Sequence, residues 1–285
     1  MFTEARKSSC VFEYLRILAI AGSDSGGGAG IQADIKTFAA LGCYGMTAIT
    51  ALTAQNTLGV VSIQGTPPQM LCEQIDAVLG DIGAHAVKIG MLHSPEIVFV
   101  VAEAVDHHRL EKVILDPVMI ATSGAVLIDD SAISFLISEL FPRSLLVTPN
   151  LDEASLLVGK KLRNESDMEA AAQEILLMGA NAVLLKGGHL PGDLVCDLLL
   201  TKEGEVHWMR AARIDTNNTH GTGCTLSSAI AAYLASGTTL RQSVESARAY
   251  VRAALEAGAA VRTGTGNGPL NHGYSPLATR LISLP

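Results

Sequence analysis

Short apolar runs of Val, Ile and Leu alternate along this chain with longer stretches of helical periodicity, and that alternation constrains the fold more than any other feature. The runs are Leu15 to Ala21, Ala48 to Thr53, Ala86 to Gly90, Val113 to Leu115, Leu145 to Thr148 and Ala182 to Lys186. They are apolar throughout rather than at every second residue, the pattern of strands buried on both faces of a parallel sheet. Helical patterns lie between them at Ile31 to Leu41, Pro68 to Asp81, Pro95 to His107, Ser131 to Leu140 and Glu165 to Met178. Repeated strand, helix and strand predict βαβ units in a three-layer α/β/α sandwich with a mostly parallel central sheet. Leu194 to Thr201 and Glu205 to Ala211, parted by Lys-Glu-Gly, read as an antiparallel hairpin appended to that sheet.

No Pro/Ser-rich linker, charge block or internal repeat divides the chain, so residues 15–285 are expected to form a single domain. Residues 1–14 are expected to be a loose N-terminal extension. Met1 to Arg16 carries Glu4, Arg6, Lys7, Glu13 and Arg16 without a continuous apolar core, which also fails as a secretory signal. Thr37 to Cys72 holds no charged residue, but Gly, Gln, Asn, Thr and Pro interrupt it, so it is expected to be buried rather than inserted in a membrane. The net charge is −8 and the Lys and Arg residues are scattered, which excludes the basic footprint of a nucleic-acid partner or a membrane-binding helix. A small-molecule partner fits this surface better. The five cysteines are far apart and lack CxxC spacing, pointing to a reducing cytoplasmic setting and away from disulfides or zinc.

In parallel sheets ligands gather at the carboxyl ends of the strands. Gly22 to Gly30, the pair Gln55 and Asn56, Met91, Asp116, Asn150 and Gly187 all follow predicted strands and so share one rim. AGSDSGGGAGIQAD, from Ala21 to Asp34, is not a dinucleotide fingerprint: Ile31 stands where G-x-G-x-x-G needs its third glycine, and no acidic residue follows at the ribose-binding distance. Its glycines instead let a ligand approach the backbone. NTHGTGCTLSSAIAAYLASG, from Asn218 to Gly237, is a glycine-rich turn opening into a small-residue helix. Consecutive N–H groups and the positive end of the helix dipole can hold an anion there without any lysine. Cys224 lies at the start of that helix, as a small hydrophobe or as a thiol whose pKa the helix lowers.

Other residues on the rim admit two readings each. Asp34 projects from the edge of an apolar helical face, as a ligand contact or as a partner of Lys36 or Lys88; for Lys88 the structural reading is favoured. Gln55 and Asn56 offer amides suited to a ring nitrogen beside an amino group, or cap a turn. Asn150 and Glu153 either close a capping box or, with Asp116, place oxygens for a magnesium ion. Lys186 beside Gly187 and Gly188 suits a nucleotide phosphate or pairs with a carboxylate. His85, His189, His220 and His272 show no metal-ligand spacing.

AGSDSGGGAGIQAD, ALTAQNT, KIGML, LDPVM, TPNLDEA, LKGGH, THGTGCT and GNGPLNH occur in the order seen in hydroxymethylpyrimidine and phosphomethylpyrimidine kinases of thiamine biosynthesis. The chain resembles that family, part of the ribokinase-like superfamily, from about Leu15 to Pro276. The resemblance implies a ribokinase-like fold, ATP as co-substrate with Mg²⁺, and phosphorylation of 4-amino-5-hydroxymethyl-2-methylpyrimidine, then of its monophosphate to the pyrophosphate. It places Gly22, Asp34 and Gln55 on the pyrimidine, with Ala29, Thr53, Met91 and Val118 around it. Gly221, Thr222, Gly223 and Cys224 would form the catalytic anion hole, with Cys224 in place of the Asp base of many sugar kinases of this fold. Asp116, Asn150, Glu153 and Lys186 would serve Mg-ATP, with Asp116 and Glu153 as magnesium ligands, directly or through water. Gly264 to Asn271 would border the adenine, and a homodimer is implied. A flap is expected over Met119 to Val126, which contains Thr122, Ser123 and Gly124. The alternatives are a pyridoxal kinase of the same fold and a non-catalytic pyrimidine or nucleotide sensor.

Overall fold

The computed structural model describes residues 11–119, 128 and 130–283. In chain order the first elements are β1 (Phe12–Tyr14), β2 (Arg16–Asp24), α1 (Gly30–Ala40), β3 (Tyr44–Asn56), β4 (Gly59–Gly65) and α2 (Pro68–Asp81). There follow β5 (Ala86–Ile89), α3 (Pro95–His107), β6 (Val113–Leu115), α4 (Asp130–Phe135), β7 (Leu146–Val147), α5 (Leu151–Val158) and α6 (Glu165–Leu177). The last are β8 (Ala182–Leu185), β9 (Leu194–Thr201), β10 (Val206–Ala212), α7 (Thr222–Ala235), α8 (Leu240–Gly258) and β11 (Leu281–Ser283). The expected helix over Ser131 to Leu140 is α4 continued by a π-helical turn at Leu136–Leu140.

A nine-stranded sheet runs in the order β10-β9-β8-β7-β6-β5-β2-β3-β4. Its strands from β8 through β3 are parallel, while β4, β9 and β10 pair antiparallel at the edges. Side chains alternate between two helical layers as strand geometry requires. Leu18, Ile20, Val87, Ile89, Val113 and Leu115 pack toward α2, α3, α4, α5 and α6. Ile17, Ala19, Ala86, Ile114 and Leu184 pack toward α1, α7 and α8. This is the three-layer α/β/α sandwich, and full burial of each large aliphatic side chain contributes about 1.5–3 kcal/mol.

Local chemistry sets the helix starts. Ser94 caps α3 by accepting from the Ile97 N–H, with Pro95 at the first helical position. Thr239 and Gln242 form a capping box on α8. The chain passes from β2 to β3 on one side and then crosses to β5 on the other. That reversal opens a crevice beyond the carboxyl ends of β2 and β5.

Two expectations are corrected. The uncharged stretch from Thr37 to Cys72 is not uniformly buried: Leu52, Leu58 and Val61 are 53%, 69% and 81% exposed. Most of it forms β3 and β4 at the end of the sheet, and among the described residues no strand lies beyond β4. Phe12–Tyr14, expected to be loose, pair antiparallel with Leu281–Ser283, and Tyr14 stacks on Tyr44 at 5.5 Å.

Candidate active site

Strand ends of the parallel sheet and the start of α7 enclose a cavity of about 610 Å³. Gly22, Ala29, Thr53, Gln55, Met91 and Val118 line one part of it; Asp116, Asn150, Glu153 and Lys186 line another; Gly221, Thr222, Gly223 and Cys224 lie on the same wall. Of the residues expected on the pyrimidine, in the anion hole and on Mg-ATP, every one lines this cavity except Asp34. The expected flap residues Thr122, Ser123 and Gly124 lie outside the described residues.

The turn before α7 supplies the anion nest. Gly221 caps the helix with φ 80° and no side-chain cap; the Thr222 amide donates to the Thr219 carbonyl at 3.2 Å, and the Gly223 and Cys224 amides are left for a ligand. A Cβ at Gly221 would collide with the Gly28 carbonyl, which fixes glycine there twice over. The nest is not free of lysine, contrary to expectation: Lys186 Nζ lies 3.2 Å from where a Gly223 Cβ would stand. Two short strands, β6 and β8, bring Lys186 and Asp116 to this point from opposite sides of β7.

Lys186 Nζ donates to Asp116 Oδ1 at 2.8 Å, and Thr148 Oγ1 donates to the same oxygen at 3.0 Å. Burial pushes the Asp116 carboxyl up, but Lys186 and Lys88 outweigh it and hold its pKa below the ordinary value. The capping reading of the Asn150 and Glu153 pair is realised. Asn150 Oδ1 accepts from the Asp152 and Glu153 amides at 2.9 Å, and Glu153 Oε2 accepts from the Asn150 amide at 2.8 Å, completing a capping box. Glu153 still faces the cavity, and burial pushes its pKa up to about 7, with Lys186 opposing and Asp116 adding to the rise. A buried carboxyl driven toward its neutral form by a neighbouring carboxylate is relieved by a cation, and hard oxygen donors suit Mg²⁺. Among the described residues no group of three or more His, Cys, Asp or Glu could hold a metal. An ion here would take its remaining ligands from water and phosphate oxygens.

Asp34 stands behind the wall. It is fully buried on α1, where it accepts from Lys88 Nζ at 2.9 and 3.0 Å and from Ser228 Oγ at 2.7 Å. Strand alternation explains the pairing: Val87 and Ile89 face the α2 and α3 side, so Lys88 points toward α1 and α7. Burial would lower the Lys88 pKa, but Asp34, then Cys224 and Asp116, overcome it and hold the ammonium charged. Lys88 itself lines the cavity, so Asp34 meets the site only through that ammonium.

Cys224 is the third residue of α7. The expected lowering of its pKa is overturned. Burial pushes the thiol up to about 11; Lys88 and the Gly30 amide oppose the rise, and Asp34 and Asp116 add to it. The helix dipole is outweighed because two buried carboxylates and desolvation act on the same sulfur. At neutral pH Cys224 is a thiol.

Sequence reasoning missed Asp24 and His220. Asp24 is buried at the end of β2, its carboxylate accepting from the Gly26, Gly28 and Ala29 amides and from His220 Nε2. An acidic residue directly before a glycine run, needing donors only that run can give, was the available signal. Gln55 faces the cavity, its Nε2 3.4 Å from His220 Nε2. Asn56 instead caps the following turn, accepting from the Leu58 amide at 2.9 Å. Gly264 to Asn271 does not border the main cavity: Gly266 and Asn267 donate to Thr57, and Gly264 and Gly266 face a second cavity of about 380 Å³.

The chain matches the model of the family described as phosphomethylpyrimidine kinase over residues 24–271. It is 48% identical to the hydroxymethylpyrimidine/phosphomethylpyrimidine kinase of Rhizobium meliloti, over 90% of this chain and 96% of that protein. A phosphomethylpyrimidine kinase structure from Clostridium difficile superposes with a TM-score of 0.74 at 43% identity, covering 85% of this chain and 99% of the other. The pyridoxal kinase of Staphylococcus aureus, solved with AMP-PCP and pyridoxal, superposes at 0.84 with 32% identity, covering 95% and 100%. With a family model matching residues 24–271 and a relative 48% identical over 90% of its length, the chain belongs to the phosphomethylpyrimidine kinase family.

Proposed function

We propose that this cavity transfers the γ-phosphoryl group of ATP to the hydroxymethyl oxygen of 4-amino-5-hydroxymethyl-2-methylpyrimidine, and in a second turnover to the resulting monophosphate, giving the pyrophosphate for thiamine biosynthesis. The chain's family membership carries the reaction type. One structural observation supports the direction of transfer: in the Gly221–Cys224 turn, Gly221 lies against Gly28 and Ala29, and Gly223 beside Lys186 and Asp116.

On the acceptor side, Gln55 offers an amide to the aminopyrimidine, with Ala29, Met91 and Val118 against the ring. Asp34 acts through Lys88 as a positioning residue. Cys224, kept protonated, hydrogen-bonds the acceptor oxygen. A strong base is not needed, because phosphoryl transfer passes through a loose transition state in which the proton leaves late. Lys186 and the nest amides hold the charge that builds on the phosphoryl oxygens. Asp116 and Glu153 would hold Mg²⁺, which supplies charge neutralisation of the phosphates when bound.

A second reading, phosphorylation of pyridoxal, is favoured by the similarity to the S. aureus pyridoxal kinase. A coupled ADP-release assay on the pyrimidine alcohol, its monophosphate and pyridoxal separates the two. Turnover of pyridoxal with none of either pyrimidine would overturn the primary reading. Among the described residues no helix is long and apolar enough to cross a membrane. Cytoplasmic location, supported by the free thiols of Cys43, Cys72, Cys196 and Cys224, completes the proposal. So does a homodimer, supported by the exposed Leu52, Val61 and Ile63 on β3 and β4 and Leu58 in the turn between them, with sedimentation as its measurement. Residues 15–285 would then act as one kinase domain.

A further inference from the structure

We propose that the hydrogen bond between Asp24 and His220 couples the pyrimidine wall to the anion nest, so that each ligand binds more tightly when the other is in place. The inference rests on the functional reading above for the identity of its two ligands.

Asp24 organises one loop and His220 belongs to the other. Asp24 Oδ1 accepts from the Gly26 amide at 2.8 Å, and Oδ2 accepts from the Gly28 and Ala29 amides at 3.0 and 2.8 Å. The same Oδ2 accepts from His220 Nε2 at 2.9 Å. Both residues are buried and both line the cavity. Ala29, whose amide Asp24 holds, lies on the pyrimidine wall. His220 immediately precedes Gly221 and the nest amides. Its own amide is anchored on the far side by the Gly268 carbonyl at 3.0 Å.

Sterics make the contact stiff. A Cβ at Gly28 would collide with the His220 ring, and one at Gly221 with the Gly28 carbonyl, so neither loop can slide without moving the other. A second link, the Gly30 amide against the Cys224 thiol, ends on sulfur, a weak acceptor. Asp24 and His220 therefore supply the directional part of the connection. Ordering the glycine loop around a pyrimidine fixes Asp24, which fixes His220 and the turn behind it. A phosphate seated in the nest works in reverse, and linkage requires the two effects to be equal.

Calorimetric titration tests this with the β,γ-methylene analogue of ATP plus Mg²⁺ and the pyrimidine alcohol, each alone and in the presence of the other. In the unsubstituted protein each ligand is expected to tighten the other by about tenfold, within the usual range for coupled sites. His220→Leu should bring that factor to within about twofold of one, and His220→Gln, which restores an N–H donor, should recover it. Asp24 keeps three amide donors in His220→Leu, so the loop should still fold, and thermal melting confirms it. A coupling factor of one in the unsubstituted protein overturns the proposal. So does His220→Leu weakening both ligands in parallel with the factor unchanged, the outcome of a merely structural role. Binding of pyridoxal with no binding of the pyrimidine overturns the functional reading instead, and coupling is then judged with pyridoxal by the same criteria.

Discussion

Alkylation of Cys224 by iodoacetamide, followed across a pH series, tests how the cavity treats its thiol. An ordinary thiol near 9.0 and one pushed to about 11 differ by two pH units. At pH 7.5 the ionised fraction falls from about 3% to about 0.03%, so alkylation should slow roughly 100-fold relative to a free thiol, before any steric hindrance. Hindrance changes the plateau and leaves the midpoint alone, so the midpoint is the decisive quantity. Site-resolved mass spectrometry should place it above pH 10. The sign of the stability effect follows: a folded pKa above the unfolded one contributes stability below pH 9 that is lost as pH rises toward 11. Comparison with Cys224→Ala should show a loss of about 3 kcal/mol over that window. A midpoint at or below pH 8 would refute the reasoning, because Lys88 and the start of α7 would then outweigh burial, Asp34 and Asp116.

The remaining predictions concern the anion nest and its charges. Gly221→Ala forces a left-handed residue with a Cβ against the Gly28 carbonyl, and should cost about 1–3 kcal/mol in chemical denaturation while lowering kcat at least tenfold; wild-type kcat would show that the nest tolerates displacement. Lys186→Met leaves Asp116 buried without its cation and should cost about 3–5 kcal/mol; adding Asp116→Asn should recover most of that stability but none of the activity. In metal-free buffer the raised pKa of Glu153 implies stability present below pH 4.5 and lost as pH rises through about 7. Glu153→Gln should therefore flatten that stretch of the pH profile by about 3 kcal/mol, and an unchanged slope in thermal melts would contradict it.

Much of the fold was legible because its signals are local. Apolar runs marked the parallel strands, and Pro68–Asp81 and Pro95–His107 form helices with the expected bounds because proline marks where each begins. Strand β4 went unread because its residues are mixed and largely exposed, without the buried-run signature. Most candidate site residues were found because parallel sheets gather ligands at strand ends, and glycine loops betray close backbone approach. Asp34 was read as a pyrimidine contact or as a partner of Lys36 or Lys88, and the structure pairs it with Lys88. Its place behind the cavity wall depended on where β5 lies relative to α1.

The sequence by itself determined the α/β/α class, the alternation of buried parallel strands with helices and the family, since each depends on neighbouring residues or on motifs in register. Tertiary structure alone decided the charges. Asp34 meets Lys88 across 54 positions, Asp116 meets Lys186 across 70, and Asp24 meets His220 across 196. Electrostatic interactions depend on distance and burial in space, neither of which sequence separation reports. Cys224 shows the consequence most clearly: a helix start can lower a thiol's pKa, and here burial, with Asp34 and Asp116 folded against it, raises it.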